Sequence, residues 1–400
     1  MHTRTPESLA APHVGGKLAT IIFVFTLLGF VIETQLTQYV QTSLGYRQSF
    51  FLFYIVHSSF AIIFPLHLLY LIATTNHSAV SLLKGLAIAI SNHLVTSQKS
   101  NDAFKFPTAK FFRLSLALMV GVTCPGLLWF AAIPLASITD VTAIWNTNAF
   151  FAYLISVKVF KLKWEPKRLM AVVLATIGTA VVVYGGSKTS EESGVSTTPP
   201  STYKKPAAPL IGNLMTLIAS FGYGLYQVLY KVYAALPSDP EVTAERAYEQ
   251  IPDEEGGDVS VSVEVDATDA VYPPPFGFHP NFLTSILGIL TCLILWIPLP
   301  FLHYSRAEVF RLPPNLYTAL CIAGISLSGV AFNAGFMVLL GVWGPIIVSV
   351  GNLLTIVLVL ISDVLFGPGL QVITLWSLIG SAGIVLAFGI LAYDMFSKRS

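Results

Sequence analysis

Charge is what this sequence has least of. Of its 400 residues only 11% are charged, against 54% hydrophobic, and its mean hydropathy is +0.72. Soluble domains carry roughly 25% charged residues, so an ordinary water-soluble globular protein is excluded. Cysteine is almost missing as well. Cys124, Cys292 and Cys321 all lie in apolar runs, which implies no disulfide framework and leaves the redox compartment unread. The chain has no H-E-x-x-H and no His/Cys/Asp/Glu group at metal-ligand spacing. Gly185-Gly186-Ser187-Lys188-Thr189 resembles a phosphate loop but lacks the glycine before its lysine. No local arrangement joins a nucleophile to a base. No cofactor, metal, ATP-driven pump or enzyme is expected.

What the chain does have is long apolar runs. A helix that crosses a bilayer needs about 20 mostly apolar residues. Ten stretches qualify, near 18–39, 50–73, 111–133, 137–157, 169–185, 209–232, 281–302, 315–338, 344–365 and 371–393. The expected fold is therefore all-α and integral to the membrane, with ten transmembrane helices. The first run is too long for a signal-peptide core and reads as a retained helix. With the N-terminus in the cytosol, sixteen Lys and Arg residues fall on the cytosolic side and six on the other. The positive-inside bias then places both termini in the cytosol. The sequon Asn76-His77-Ser78 also falls there and is expected to carry no glycan.

The near-balance of 22 bases and 21 acids hides a segregation. Residues 236–279 contain eleven acids and one base, Arg246, and end in Tyr272-Pro273-Pro274-Pro275. That loop and the Ser/Thr/Pro/Lys-rich 186–208 linker bury too little apolar surface to fold by themselves. The expected organisation is a tail at 1–17, five helices over 18–185, the linker, five helices over 209–393 with the disordered acidic loop inside them, and a tail at 394–400. The loop between spans two and three has apolar patches from Ser81 to Leu94 that suit a helix lying on the membrane surface.

The halves correspond weakly at an offset of about 204 residues. Cys124-Pro125-Gly126 falls on Ser328-Gly329-Val330, Asn148 on Asn352, and, with one residue inserted, Gly178 on Gly383. Five helices per copy force the copies into opposite orientations. Inverted repeats with weakened helices point to a secondary transporter whose site lies near the midplane, between the repeats.

Polar residues inside spans are costly and ask for a partner or a role. Glu33 lies about 22 Å along span one, at ~1.5 Å per residue, on a stripe with Thr26, Gly29 and Thr37. It suits a cationic group or a coupling proton; the alternative is an interfacial carboxylate reaching water near Gln35 and Gln38. His57 suits proton coupling or a hydrogen bond to a neighbouring helix. Asn148 and Asn352 either face one cavity or hold spans four and nine together. Trp145 and Asn146 extend the first wall, with Trp129 and Asn333 on spans three and eight. Tyr223, Tyr226 and Tyr230 share a stripe of span six with Gln227, suited to stacking on a planar or cationic substrate or to ordinary interfacial packing. Lys231 is expected to snorkel to the cytosolic surface, and Asp363 to act near the end of span nine as a mechanistic or structural group. Ala171, Ala175 and Thr179 in span five, with Ser377 and Ser381 in span ten, make small-residue faces for close packing or a homodimer.

Several segments resemble the drug/metabolite transporter superfamily of EamA type. They are Tyr46-Arg47-Gln48-Ser49-Phe50-Phe51-Leu52-Phe53-Tyr54 with Ser58-Ser59-Phe60, Gly212-Asn213-Leu214 with Tyr223 to Lys231, Leu287-Gly288 with Leu295-Trp296, His303 and Glu308 to Pro313, and Gly344-Pro345-Ile346-Ile347 with Val350 to Ile356 and Asp363. The narrower likeness is to fungal and animal proteins near the nucleotide-sugar carriers, including thiamine-repressible transporter-like and vacuolar-membrane proteins. The chain departs from the pattern at Ser49, where proline is usual, at Lys158, Lys161 and Lys163, where an acid is usual, and at Asn333-Ala334-Gly335, where aromatics are usual. The resemblance implies ten helices as two inverted five-helix repeats, and transport of a small polar metabolite in an endomembrane or vacuolar membrane rather than the plasma membrane. Thiamine would suit Glu33 and the tyrosines. The expected partners are a small-molecule substrate and the bilayer, and no nucleic acid. The competing reading is a membrane receptor or scaffold on a transporter fold, acting through the acidic loop.

Overall fold

A computed structural model describes residues 17–95, 106–132, 135, 141, 144–161, 165–192, 209–236, 270–366 and 375–397. The protein is all-α: no strand occurs among the described residues. The helices are α1 (Lys17–Thr42), α2 (Ser49–Ser58), α3 (Ile63–Thr74), α4 (Ala79–Leu94), α5 (Thr108–Ala132), α6 (Asn148–Val159), α7 (Pro166–Glu192), α8 (Pro209–Tyr233), α9 (Phe278–Leu295), α10 (Pro298–Tyr304), α11 (Leu316–Asn352), α12 (Leu354–Phe366) and α13 (Leu375–Ser397). Among the described residues, six helical stretches are long and apolar enough to cross a membrane: Leu18–Gln41, Ser49–Thr74, Thr108–Trp129, Phe278–Leu295, Leu316–Asn352 and Leu375–Asp394. Their outward faces are apolar, with Phe25, Leu69, Leu320 and Leu386 all exposed. This is an integral membrane protein whose surface is built for lipid. The expected stretches in α6, α7, α8 and α12 are helical too, although α8 is diluted by Asn213, Tyr223, Tyr226 and Gln227.

Span two is interrupted for a chemical reason. Pro65 lacks an N–H and its ring crowds the carbonyl one turn back, and the backbone tightens into a 3-10 turn at Ser59–Ile62. Ser285 of α9 mends the gap: its hydroxyl accepts from Phe64 N–H at 2.7 Å and donates to Phe60 O at 3.1 Å. The 37-residue α11 is likewise two helices. Gly344 adopts φ 77° and ψ 169°, a backbone conformation that L side chains rarely tolerate, and separates spans eight and nine where the sequence divides them. Pro125 and the Ser328-Gly329-Val330 segment, expected as weak points, lie within continuous helices.

The helices pair in a regular way. α1 packs along the first part of α11, α5 along α8, and α7 along α13. The α2–α3 pair packs on α9, α6 on α8 and on the part of α11 after Gly344, and α1 on α12. In span numbers these pairs are one–eight, three–six, five–ten, two–seven, four–six, four–nine and one–nine. Exchanging every span for the one five places away returns these seven pairs, while the contact of α8 with α11 has no counterpart of like extent between span one and spans three or four among the described residues. The small faces of spans five and ten meet each other inside the chain. Ala171, Ala175, Thr179, Ser377 and Ser381 are buried there, and Gly178 and Gly380 cross in backbone contact. A copy-to-copy contact through this pair would therefore use its other faces.

Two straps tie the halves at opposite ends. The Glu308 carboxylate caps α2, accepting from Phe50 N–H at 2.9 Å and Phe51 N–H at 3.1 Å. Beside it Gln48 Nε2 donates to Val309 O at 2.8 Å, and Tyr46 Oη–H donates to Arg311 O at 2.7 Å. At the other end the 270–277 segment lies across α4, where Val271 N–H donates to Ser81 O at 3.0 Å. His93 at the end of α4 is 2.9 Å from Tyr233 O at the end of α8. The helix expected at 81–94 is thus α4, started by Ser78 accepting from Ser81 N–H.

Candidate functional site

The site is built around one face of α8. Gln227 is fully buried there. Its Oε1 accepts from Ser349 Oγ–H at 2.5 Å, and its Nε2 lies 3.4 Å from Asn148 Oδ1, a long hydrogen bond. Asn148 Nδ2 in turn donates to Trp145 O at 2.8 Å. That carbonyl is available because the helix breaks at Thr147 just ahead of α6. Ser220 Oγ–H reaches the same carbonyl at 3.2 Å, and Ser220 Oγ lies 2.9 Å from Thr147 Oγ1. Spans four, six and nine are thereby joined by buried amides and hydroxyls, where an unpaired group is costly.

From Trp145 a chain of rings crosses to the other half. Ring centroids are 6.0 Å apart for Trp129–Trp145, 5.1 Å for Trp145–Tyr223, 6.1 Å for Tyr223–Phe336, 5.4 Å for Phe336–Phe332 and 4.9 Å for Phe332–Phe30. Tyr226 stacks beside Tyr223 at 6.1 Å, and its hydroxyl donates to Met337 Sδ at 3.4 Å. The chain ends one turn from Glu33. Glu33 Oε2 is buried without a hydrogen-bond partner. Its Oε1 lies 3.2 Å from where a Cβ on Gly329 would stand. Thr26, Gly29 and Glu33 all face the first part of α11 at Gly335, Phe332 and Gly329. Over Thr26, Gly29 and Glu33 the small polar stripe is the interface between spans one and eight.

The remaining sequence-selected residues divide. Asn146 is buried near Asn148. Asn333 Nδ2 donates to Gly329 O at 2.9 Å, bracing the backbone next to Glu33. Asn352 is half-buried with an unpartnered Oδ1. It lies one turn past Ser349, and it is Ser349 that reaches span four by way of Gln227. His57 is held by its own helix: its Nδ1 is 3.1 Å from Phe53 O, and its ring stacks on Phe53 at 3.8 Å. The Asp363 side chain lies outside the described residues.

Lys231 is a correction. It does not snorkel; it is 4% exposed, and its ammonium donates to Gly341 O at 2.5 Å. The reason is the turn at Gly344. The helix ahead of it ends at buried carbonyls, and a cation is stabilised at such a C-terminus. Sequence reasoning passed over two residues: Ser349, which donates to Gln227, and Ser285, which completes the hydrogen bonds at the break in span two. Ser349 carried a signal, since it precedes Asn352 by three residues on the same face.

No family model matches the chain. The thiamine-repressible mitochondrial transport protein THI74 of Saccharomyces cerevisiae is 22% identical over 395 residues, covering 94% of this chain and 90% of that protein. The two are distant relatives along nearly their whole lengths. A solved crystal structure, 12% identical, superposes with a TM-score of 0.54 over 96% of this chain and 99% of its own. At that identity the match speaks for a shared fold alone. The distant relative is a transport protein, in keeping with a membrane transporter in the general sense.

Proposed function

We propose that the protein is a secondary-active transporter that moves a small polar metabolite across an internal membrane by alternating access. Ten spans form two inverted five-helix repeats of the drug/metabolite transporter type. The observation that carries this reading is the span pairing, in which seven pairs, from one–eight with three–six to one–nine with four–six, map onto one another when the halves are exchanged. Two inverted repeats generate such a set, and carriers of this build bind substrate between them near the midplane. The Gln227 cluster, the ring chain and Glu33 all lie where spans of the two halves meet. Rocking one half against the other would change the contacts that cross between them: Gln227 with Asn148, Trp145 with Tyr223, Phe332 with Phe30 and Glu33 with Gly329.

The chemistry favours an organic cation, such as thiamine, with a polar face. Glu33 supplies a buried carboxylate, Tyr223 and Trp145 supply ring faces for a planar or cationic group, and Asn148 and Gln227 offer donors and acceptors in equal measure. The likeness to the yeast transport protein supports transport in the general sense. That the yeast relative is a transport protein supports a carrier over an enzyme. The test is uptake of radiolabelled thiamine and of a metabolite panel into proteoliposomes. Saturable uptake of an organic cation that falls sharply in Glu33→Gln supports it; saturable uptake only of anions, indifferent to Glu33, refutes the substrate class.

A further inference from the structure

Away from this site, an open groove of about 460 Å³ runs between the polar ends of α7 and α13. Its apolar lining is Val385, Leu386, Gly389 and Ile390, and a Cβ added to Gly389 would meet no atom within 4 Å. Val385 and Leu386 are more than half exposed. The rim changes character abruptly to Lys167, Tyr393 and Asp394. Asp394 Oδ2 is 2.8 Å from Arg168 Nε, and Glu165 Oε2 is 3.0 Å from the same nitrogen. The Arg168 guanidinium is therefore engaged by two carboxylates, while Lys167, the next residue, is exposed at the groove mouth.

We propose that this groove is a binding site for one glycerophospholipid, with an acyl chain over Gly389 and the headgroup phosphate on Lys167. The apolar trough runs along the lipid-facing side of the pair, and the ionic rim stands where both helices leave the apolar region. A lysine and a tyrosine at that depth match the interfacial layer, where such residues meet headgroups. An apolar stem below one cationic rim group matches the two parts of a phospholipid, and neither part alone matches a soluble anion. The site is independent of the central cluster and of the substrate proposed above.

The test uses the delipidated full chain in detergent, with phosphatidylglycerol as probe and diacylglycerol and inorganic phosphate as controls. Phosphatidylglycerol is expected to raise the melting temperature by several degrees, diacylglycerol by much less, and phosphate not at all. Gly389→Leu fills open space and is expected to melt as the parent does without lipid, yet to lose the lipid-induced rise. Lys167→Gln is expected to keep a reduced rise and to retain fewer phosphatidylglycerol molecules in a native mass spectrum. Equal stabilisation and equal retention in all three proteins would overturn the proposal. So would an effect of phosphate alone. Should Gly389→Leu lower the basal melting temperature, lipid retention by Lys167→Gln decides.

Discussion

The carboxylate of Glu33 rests against Gly329 across the contact between the two halves, and this contact exists because residue 329 has no side chain. A Cβ there would meet Glu33 Oε1 at 3.2 Å and Val56 Cγ1 at 2.9 Å. Gly329→Val is expected to push span eight away from spans one and two and to lower stability by about 1–3 kcal/mol, the usual cost of overpacking. Gly329→Ala should lie between it and the parent. Thermal unfolding in detergent measures both; a valine variant as stable as the parent would deny the close approach.

Removing the charge at Glu33 is a different experiment. Glu33→Gln keeps the volume and adds a donor, so folding should be retained. If the group contacts a cationic substrate, transport of that substrate should fall about tenfold or more, in line with losing a charge-assisted hydrogen bond of about 1.5–3 kcal/mol. Initial uptake rates in proteoliposomes at matched protein density read this directly.

Gln227 joins three spans, so its loss should be felt at both neighbours. Gln227→Leu leaves Ser349 and Asn148 facing an apolar side chain, at about 1–3 kcal/mol for each group left unpaired. The double variant Gln227→Leu/Ser349→Ala should lose less than the sum of its single changes. Additive losses across that cycle would show that the 2.5 Å contact contributes no coupling.

Glu308 takes two backbone donors at the start of α2, where a carboxylate also complements the helix dipole. Glu308→Ala is expected to cost about 1–3 kcal/mol and to loosen the strap first. Hydrogen exchange should rise at Phe50 and Phe51 before it rises in the spans. Exchange unchanged at those amides would contradict the cap.

Tyr46 gives the strap a pH signature. Burial, with the Glu308 charge nearby, pushes the Tyr46 phenol up to about 12. A group raised in the folded state contributes stability that is whole below its ordinary value near 10 and is lost as pH rises toward 12. The parent should lose stability over that alkaline window more steeply than Tyr46→Phe, and the two should run parallel from pH 6 to 9. Parallel curves through pH 12 would show that the phenol titrates alike folded and unfolded.

Much of the fold was legible because lipid simplifies the code. A run of apolar residues has one stable form in a bilayer, so the expected stretches are helical over nearly all of their described residues, and Gly344 divides spans eight and nine where the hydropathy dips. Breaks inside runs were harder to read. Pro65 interrupts span two while Pro125 leaves span three continuous, because the outcome depends on whether a neighbour such as Ser285 can take the freed groups. Gln227 and Tyr223 stood out as polar residues at helical spacing, and they do meet Asn148 and Trp145. Lys231 was misread because the sequence shows its distance from the helix end but not the buried carbonyl of Gly341 waiting beside it. The pairing of Ser349 with Gln227, across 122 residues, depends on packing that no local pattern encodes.

The most direct measurement is proteoliposome uptake of the metabolite that most stabilises the purified protein, compared among the parent, Gln227→Ala and a chain lacking 240–268. That deletion spares the 270–277 strap on α4, so it removes the acidic loop without unfastening the fold. An alternating-access carrier predicts saturable uptake by the parent, a severe loss in Gln227→Ala and near-parental uptake after the deletion. No uptake of any stabilising metabolite, or uptake untouched by Gln227→Ala, would contradict a carrier whose site lies at this junction of the two halves.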